Sequence, residues 1–257
     1  MDIVSEVAER GVVERRIDLQ VGDEVVPGIH WLPDAPATTH PTVLIGHGGT
    51  QEKRAPNVLA LARTLVRHLG VGAIALDAPE HGDRVSDPDA AAKVRSGLER
   101  RLAEDADERP RGVSRSWAAR LAARIPGHVA EWKALIDDLE QEPAWAAGPF
   151  GYWGLSMGTS HGLPLVASEP RITAAVLGLN ALRSPEDPQA ELAAAITVPV
   201  LFLLQSEDEL MTRDAGMALW DAIGSADKTL HLNPGGHIEV PRFEREAATE
   251  FFRRHLV

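Results

Sequence analysis

The sequence predicts an α/β fold, a mostly parallel central sheet with helices on both faces. Two observations carry the prediction. Short apolar runs recur at residues 42–46, 73–77, 149–153, 172–178 and 198–204. Segments with apolar positions at helical spacing separate most of them, and that alternation is what crossovers between parallel strands require. The 257 residues suit one large α/β domain, and no internal repeat or low-complexity linker divides them. The expected organisation is a single domain over 1–257, with a helical insertion at about 83–125 after the fourth strand.

Residues 15–21 alternate polar and apolar, as a half-buried strand does. Gly22-Asp23 signals a turn, and 24–32 can return as the second arm of a hairpin. A polar, proline-rich connection over 33–41 leads to the strand at 42–46. That strand runs into His47-Gly48-Gly49-Thr50, where small residues let the backbone approach a ligand closely. Val58, Leu61, Leu65 and Leu69 mark a helix over 56–69 that stops at Gly70. The fourth strand, 73–77, ends in a polar loop holding Glu80, His81 and Asp83. Their spacing matches no metal-ligand pattern, so loop shaping is the favoured reading over a metal site.

Residues 87–125 are rich in Ala, Arg, Glu and Asp, with helical patches at 90–103 and 116–124. The segment is longer than a strand-to-helix connection needs. Two readings fit it: a lid or cap over the sheet edge that carries specificity, or a solvated surface excursion. Its arginine runs read as exposed faces rather than anion sites, and Trp117 as a core residue rather than a pocket wall. An amphipathic helix over 128–140 (Val129, Trp132, Leu135, Ile136, Leu139) ends before Pro143 and leads into the strand at 149–153. A helix from Met157 towards Ala167 follows it. The strand at 172–178, a small Ala-rich helix within 180–197, and the strand at 198–204 come next. A helix over 213–223, a last strand over 228–232 and a helix over 239–255 close the chain.

Composition sets outer bounds. With 44% hydrophobic and 25% charged residues, the core needs no staples. The absence of cysteine excludes disulfides, thiolate zinc sites and a cysteine nucleophile. A formal net charge of -12 argues against a nucleic-acid face and gives no attraction to an anionic membrane. No apolar run approaches the roughly 20 residues that span a bilayer. The start, Met-Asp-Ile-Val-Ser-Glu, lacks the basic and apolar parts of a signal peptide. A cytoplasmic protein with a small-molecule substrate is expected, with a homodimer as the working assembly. Phosphate-loop and dinucleotide fingerprints are absent, so no cofactor and no metal are expected.

The chemistry centres on Gly154-Leu155-Ser156-Met157-Gly158, which fits G-x-S-x-G between a strand and a helix. A strand that turns abruptly into a helix strains the apex residue and exposes its side chain. The flanking positions then leave no room for a Cβ. Backbone N–H groups at the helix start face any anion that forms on a reacting carbonyl. Two further polar residues, Asp208 and His237, stand at the ends of two other predicted strands. Loops at that edge of an open α/β sheet converge on one site. A serine hydroxyl needs an imidazole to take its proton. The imidazole needs a carboxylate to fix its tautomer and stabilise its charge. Glu207 and Glu209 compete with Asp208 for the acid, and His81, His161 and His231 compete with His237 for the base.

On these residues the chain resembles the α/β-hydrolases from about Thr42 onward. The matching stretches are His47-Gly48-Gly49, the Ser156 turn, Gln205-Ser206-Glu207-Asp208 and Gly235-Gly236-His237. The resemblance implies Ser156 as nucleophile, Asp208 as acid and His237 as base, in the chain order of that family. It assigns the oxyanion hole to the N–H groups of Met157 and of Gly49, with Thr50 as the alternative to Gly49. His47 is expected to shape that turn. Asn180 stands where some members keep the acid, and it is not one. The long excursion after the Asp77 strand looks like the small-esterase and dienelactone-hydrolase-like branches. The implied activity is hydrolysis of small carboxylic esters. Thioesters, lactones, acyl transfer and a non-catalytic binding role are the alternatives. A dehalogenase would need a carboxylate where Ser156 stands.

Overall fold

The computed structural model describes residues 1–34, 40–103, 115–141 and 147–257. Three strands open the chain: β1 (Asp2–Glu9), β2 (Val12–Val21) and β3 (Glu24–Pro33). Six more follow: β4 (His40–Gly46), β5 (Gly72–Leu76), β6 (Ala147–Gly154), β7 (Ile172–Gly178), β8 (Val200–Gln205) and β9 (Lys228–Asn233). All nine lie in one sheet, in the order β1-β2-β3-β5-β4-β6-β7-β8-β9. The pairings β1–β2, β2–β3 and β3–β5 are antiparallel, and every pairing from β5 to β9 is parallel. The parallel strands run outward from β4 in both directions. The loops after β4 and β6 therefore part at the sheet's reversal point, where open α/β sheets hold their ligands.

The helices are α1 (Pro56–Leu69), α2 (Pro88–Ala103), α3 (Arg115–Gln141), α4 (Met157–Ser168), α5 (Gln189–Ala194), α6 (Arg213–Ala222) and α7 (Phe243–Leu256). Alternating residues of each parallel strand feed one of two cores. Leu44, Phe150, Tyr152, Val200 and Phe202 pack with α3, α4 and α6 through Trp132, Leu135, Leu163 and Leu219. Val43, Ile45, Trp153, Leu201 and Leu203 pack with α1 and α7 through Val58, Leu65, Phe252 and Leu256. Two buried faces explain why these strands read as continuous apolar runs. Close approach is built in at Gly151, where a Cβ would come within 2.7 Å of Leu256 and 2.8 Å of Phe252 on α7.

Three expectations change. The strand β1 was not foreseen, so the insertion follows the fifth strand rather than the fourth. All eight residues of β1 are exposed, and a strand with no buried face leaves no alternation to read. The helical patch at 116–124 and the helix over 128–140 form parts of one helix, α3, with Pro126 inside it. Proline removes one hydrogen bond of the helical ladder, and packing of Trp132, Leu135, Ile136 and Leu139 in the core holds the rest. The closing helix starts at Phe243 rather than 239, because Pro241 biases the residue before it, Val240, away from the helical region. Of the predicted insertion, the structure gives a short 3₁₀ turn over Gly82–Arg84, then α2 and the first part of α3. Residues 104–114 and the side chain of Trp117 lie outside the described residues, as do 35–39 of the proline-rich connection.

Candidate active site

Ser156 sits between β6 and α4 with φ 58° and ψ -116°, a conformation that L residues rarely adopt. Its neighbours explain how the strain is held. A Cβ on Gly154 would lie 2.8 Å from the Gly158 carbonyl, and one on Gly158 would run into the backbone of Gly46 on β4. The Ser156 N–H donates to the Gly178 carbonyl at the end of β7, at 2.9 Å. Buried Thr159 ties the same two strands: its hydroxyl lies 2.8 Å from the Gly154 carbonyl and 2.6 Å from that of Gly178. It also accepts the Gly178 N–H at 2.8 Å. The Tyr152 hydroxyl donates to the Gly158 carbonyl at 2.6 Å. Thr159 and Tyr152 thus pin the start of α4 to the ends of β6 and β7.

His237 Nε2 lies 2.9 Å from the Ser156 Oγ. Its Nδ1 lies 2.7 Å from Asp208 Oδ2. Asp208 Oδ1 accepts the N–H groups of Leu210 and Met211 at 2.8 and 3.1 Å. The carboxylate is thus aimed from both ends, and the acid and imidazole side chains are both nearly buried. Such a carboxylate selects the tautomer with its proton on Nδ1, leaving Nε2 free to accept the serine proton.

The competitors are elsewhere. Glu207 accepts the Gly235 N–H, and Glu209 accepts the His237 N–H at 2.6 Å. Both carboxylates hold the backbone of the His237 loop rather than its ring. His161 is buried against His128, with ring centroids 4.8 Å apart. His231 Nδ1 pairs with Glu244 at 2.8 Å. His81 Nδ1 contacts the Pro79 carbonyl at 3.0 Å. Asn180 engages Ser160 and Gln189 at 2.9 and 3.1 Å.

The loop after β4 is a turn closed by Gln51 N–H on the Gly48 carbonyl at 3.2 Å and by Gly48 N–H on Gln51 Oε1 at 3.1 Å. His47 props it. Its Nε2 accepts the Ala78 N–H at 3.0 Å, so its proton is on Nδ1, 2.9 Å from the Gly48 carbonyl. Burial pushes this ring down to about 3, so it stays neutral and keeps both bonds. Thr50 takes φ 62° to complete the turn. The N–H groups of Gly49, Thr50 and Met157 have no acceptor among the described residues. All three residues line a cleft of about 1860 Å³ together with Ser156 and His237.

Sequence reasoning read Asp83 as shaping its loop, and it missed the buried partners, Lys53 and Asp77, beneath this loop. Buried Asp77 accepts the Lys53 N–H at 2.9 Å and the Asp83 N–H at 2.8 Å, and it pairs with the Lys53 ammonium at 2.5 Å. Asp83 also meets that ammonium, at 2.9 Å. Arg84 makes a two-pronged pair with Glu131 at 2.9 and 2.7 Å. The loop over 78–84 is therefore tied to both the Gly48 turn and α3. A buried charge at a strand end was the available signal, and Asp77 carries it. Among the described residues no group of three His, Asp or Glu side chains could hold a metal ion, and no helix is long and apolar enough to cross a membrane.

No family model and no curated protein sequence matches the chain. Solved structures do. A cold-adapted esterase from an Arctic intertidal metagenomic library, bound to PEG, is 32% identical, with a TM-score of 0.79 and 100% of both chains covered. Dienelactone hydrolase from Anabaena variabilis is 17% identical, with a TM-score of 0.67, over 96% of this chain and 100% of that one. An acetyl xylan esterase from Paenibacillus sp. R4 is 16% identical, with a TM-score of 0.67, over 99% of this chain and 88% of that one. The last two bear on the fold alone. The first agrees with them over its full length. With this sheet order, the strained Ser156 turn and the histidine loop after the last strand, the chain belongs to the α/β-hydrolase superfamily, with the esterase to which it is 32% identical.

Proposed function

We propose that the protein hydrolyses carboxylic esters of small molecules through an acyl-enzyme on Ser156. The observation that carries the proposal is the continuous chain of contacts Ser156 Oγ–His237 Nε2–Asp208 Oδ2, at 2.9 and 2.7 Å. In this reaction Ser156 Oγ attacks the ester carbonyl carbon as His237 Nε2 takes the hydroxyl proton. The carbonyl oxygen becomes an oxyanion and is met by the N–H of Met157 and that of Gly49, or of Thr50 beside it. Asp208 stabilises the imidazolium. The C–O bond to the alcohol then breaks, and the His237 proton goes to the departing oxygen. Water, deprotonated by the same ring, attacks the acyl-enzyme and releases the acid and free Ser156.

The strained backbone at Ser156 fits this role, since it keeps the hydroxyl clear of its own helix. The pre-set tautomer of His237 fits it as well. The test is Ser156→Ala, assayed on 4-nitrophenyl butyrate with circular dichroism as a check on folding. Turnover should fall by about three orders of magnitude or more at unchanged secondary structure. Retained turnover in a folded variant would remove Ser156 from the mechanism.

A further inference from the structure

The cleft carries a charge opposite to that of the chain. The protein has a formal net charge of -12, yet eight lysines and arginines line the cleft against two carboxylates. One of the two, Glu244, is already engaged by His231 and Asn233, both at 2.8 Å. Arg183 is likewise held, by Asp187 at 2.6 Å. For Lys93, Arg95, Arg100, Arg120, Arg242 and Arg245, no carboxylate partner is found among the described residues. The Nε of Arg245 is buried without a hydrogen bond. Elsewhere on the molecule many arginines are paired, among them Arg15 with Glu6, Arg54 with Glu14, Arg84 with Glu131 and Arg171 with Glu169, although Arg67 meets only a backbone carbonyl and Arg213 and Arg254 meet no carboxylate among the described residues.

The roof of the cleft has a second property. Val94, Leu98 and Leu102 recur every four residues along α2 and line the cleft, and α2 has no buried residue at all. Its apolar stripe therefore faces the cleft rather than a core. Lys93, Arg95 and Arg100 come from the same helix. The roof combines an apolar surface with cations at its edges, above a floor that includes Leu179 and Leu210. Low-dielectric walls with charges of one sign focus their field into the cleft.

Resting on the reading of Ser156 as nucleophile, we propose that the natural substrate is an ester that carries a carboxylate. The cations of α2 and of the segment leading into α7 hold the negative group, and the Val94–Leu98–Leu102 stripe covers the apolar part between it and the scissile bond. The carboxylate could belong to the acyl half or to the alcohol half, and matched substrates separate the two. 4-Nitrophenyl hydrogen adipate and its methyl ester place or remove the charge on the acyl side. 4-Acetoxybenzoate and its methyl ester do so on the alcohol side. In one of the pairs the anionic member should have the higher kcat/KM, by about tenfold or more, chiefly through KM. The ratio should fall towards one in 1 M NaCl, where the Debye length is about 3 Å. It should also fall in Arg95→Glu/Arg100→Glu, whose side chains support no core. It should persist in Arg10→Glu/Arg254→Glu, a control with the same change in net charge on surface outside the cleft. Equal rates within both pairs would overturn the proposal, as would a ratio that neither salt nor the α2 variant changes. If wild-type protein turned over none of these esters nor 4-nitrophenyl butyrate, the nucleophile reading itself would have failed instead.

Discussion

Three acidic residues in a row, Glu207, Asp208 and Glu209, behave differently because of what each oxygen meets. Asp208 alone reaches the imidazole, at 2.7 Å. Its neighbours accept backbone N–H groups of the loop that carries the ring. Asp208→Asn should keep the shape but offer an amide to Nδ1, and kcat should drop by about 10³–10⁴-fold. Glu209→Gln keeps an oxygen for the His237 N–H and should cost less than about tenfold. Steady-state kinetics on one neutral ester would separate the two, and equal losses would contradict this division of roles. At this scale the sequence was informative about the reacting groups: residue type and position relative to strand ends single out Ser156 and His237. It was silent on Thr159, Tyr152 and Lys53. A threonine in a helix or a lysine in a loop carries no mark that it will be buried against a turn. For the acid, residue type alone left Glu207 and Glu209 as competitors, and it was the resemblance that preferred Asp208.

Among the elements, the strand–turn–helix of β6 and α4 is what holds the strained apex. Gly158 is the tightest point, since any Cβ there meets the backbone of Gly46. Gly158→Ala should destabilise the fold by at least about 2 kcal/mol, because backbone cannot move aside as a side chain end can. Urea unfolding measures this, and an unchanged midpoint would mean that β4 and α4 are less closely locked than described. Elements with a buried face were legible, as alternation, as helical spacing or, where both faces are buried, as continuous apolar runs. β1 is exposed along its whole length and shows no contrast to read, whereas α2 was read as a helical patch over 90–103 although it buries nothing. Reading 116–124 and 128–140 as separate segments failed for a different reason. A proline weakens a helix locally, whereas packing of the following turns decides whether it continues.

Taken whole, the molecule buries several histidines in neutral form. Burial pushes His30 and His47 down to about 3, and it lowers His161 well below its ordinary value. In the unfolded chain these rings titrate near 6.5. Below that pH the unfolded state binds protons that the native state refuses, so stability falls as pH drops from about 6.5 towards 3. Each ring contributes up to about 1.4 kcal/mol per pH unit in that window, and His30 with His47 about 3 kcal/mol between pH 6.5 and 5. The urea midpoint should therefore move clearly downward from pH 7.5 to 5, and a flat profile would contradict the burial of neutral rings. Net charge was legible from composition, but its distribution was not. Arginines on α2 that read as an exposed face also line the cleft, because only the fold brings α2 over the sheet edge.

The central claim is that Ser156 is activated by His237, and reaction with a fluorophosphonate probe tests it most directly. A neutral serine hydroxyl does not react appreciably with such a reagent, whereas one whose proton is being taken does. Peptide mass spectrometry after labelling should find one adduct, on Ser156, and should find none in His237→Ala. An unlabelled wild-type protein, or an adduct on Ser156 that survives loss of the imidazole, would contradict it.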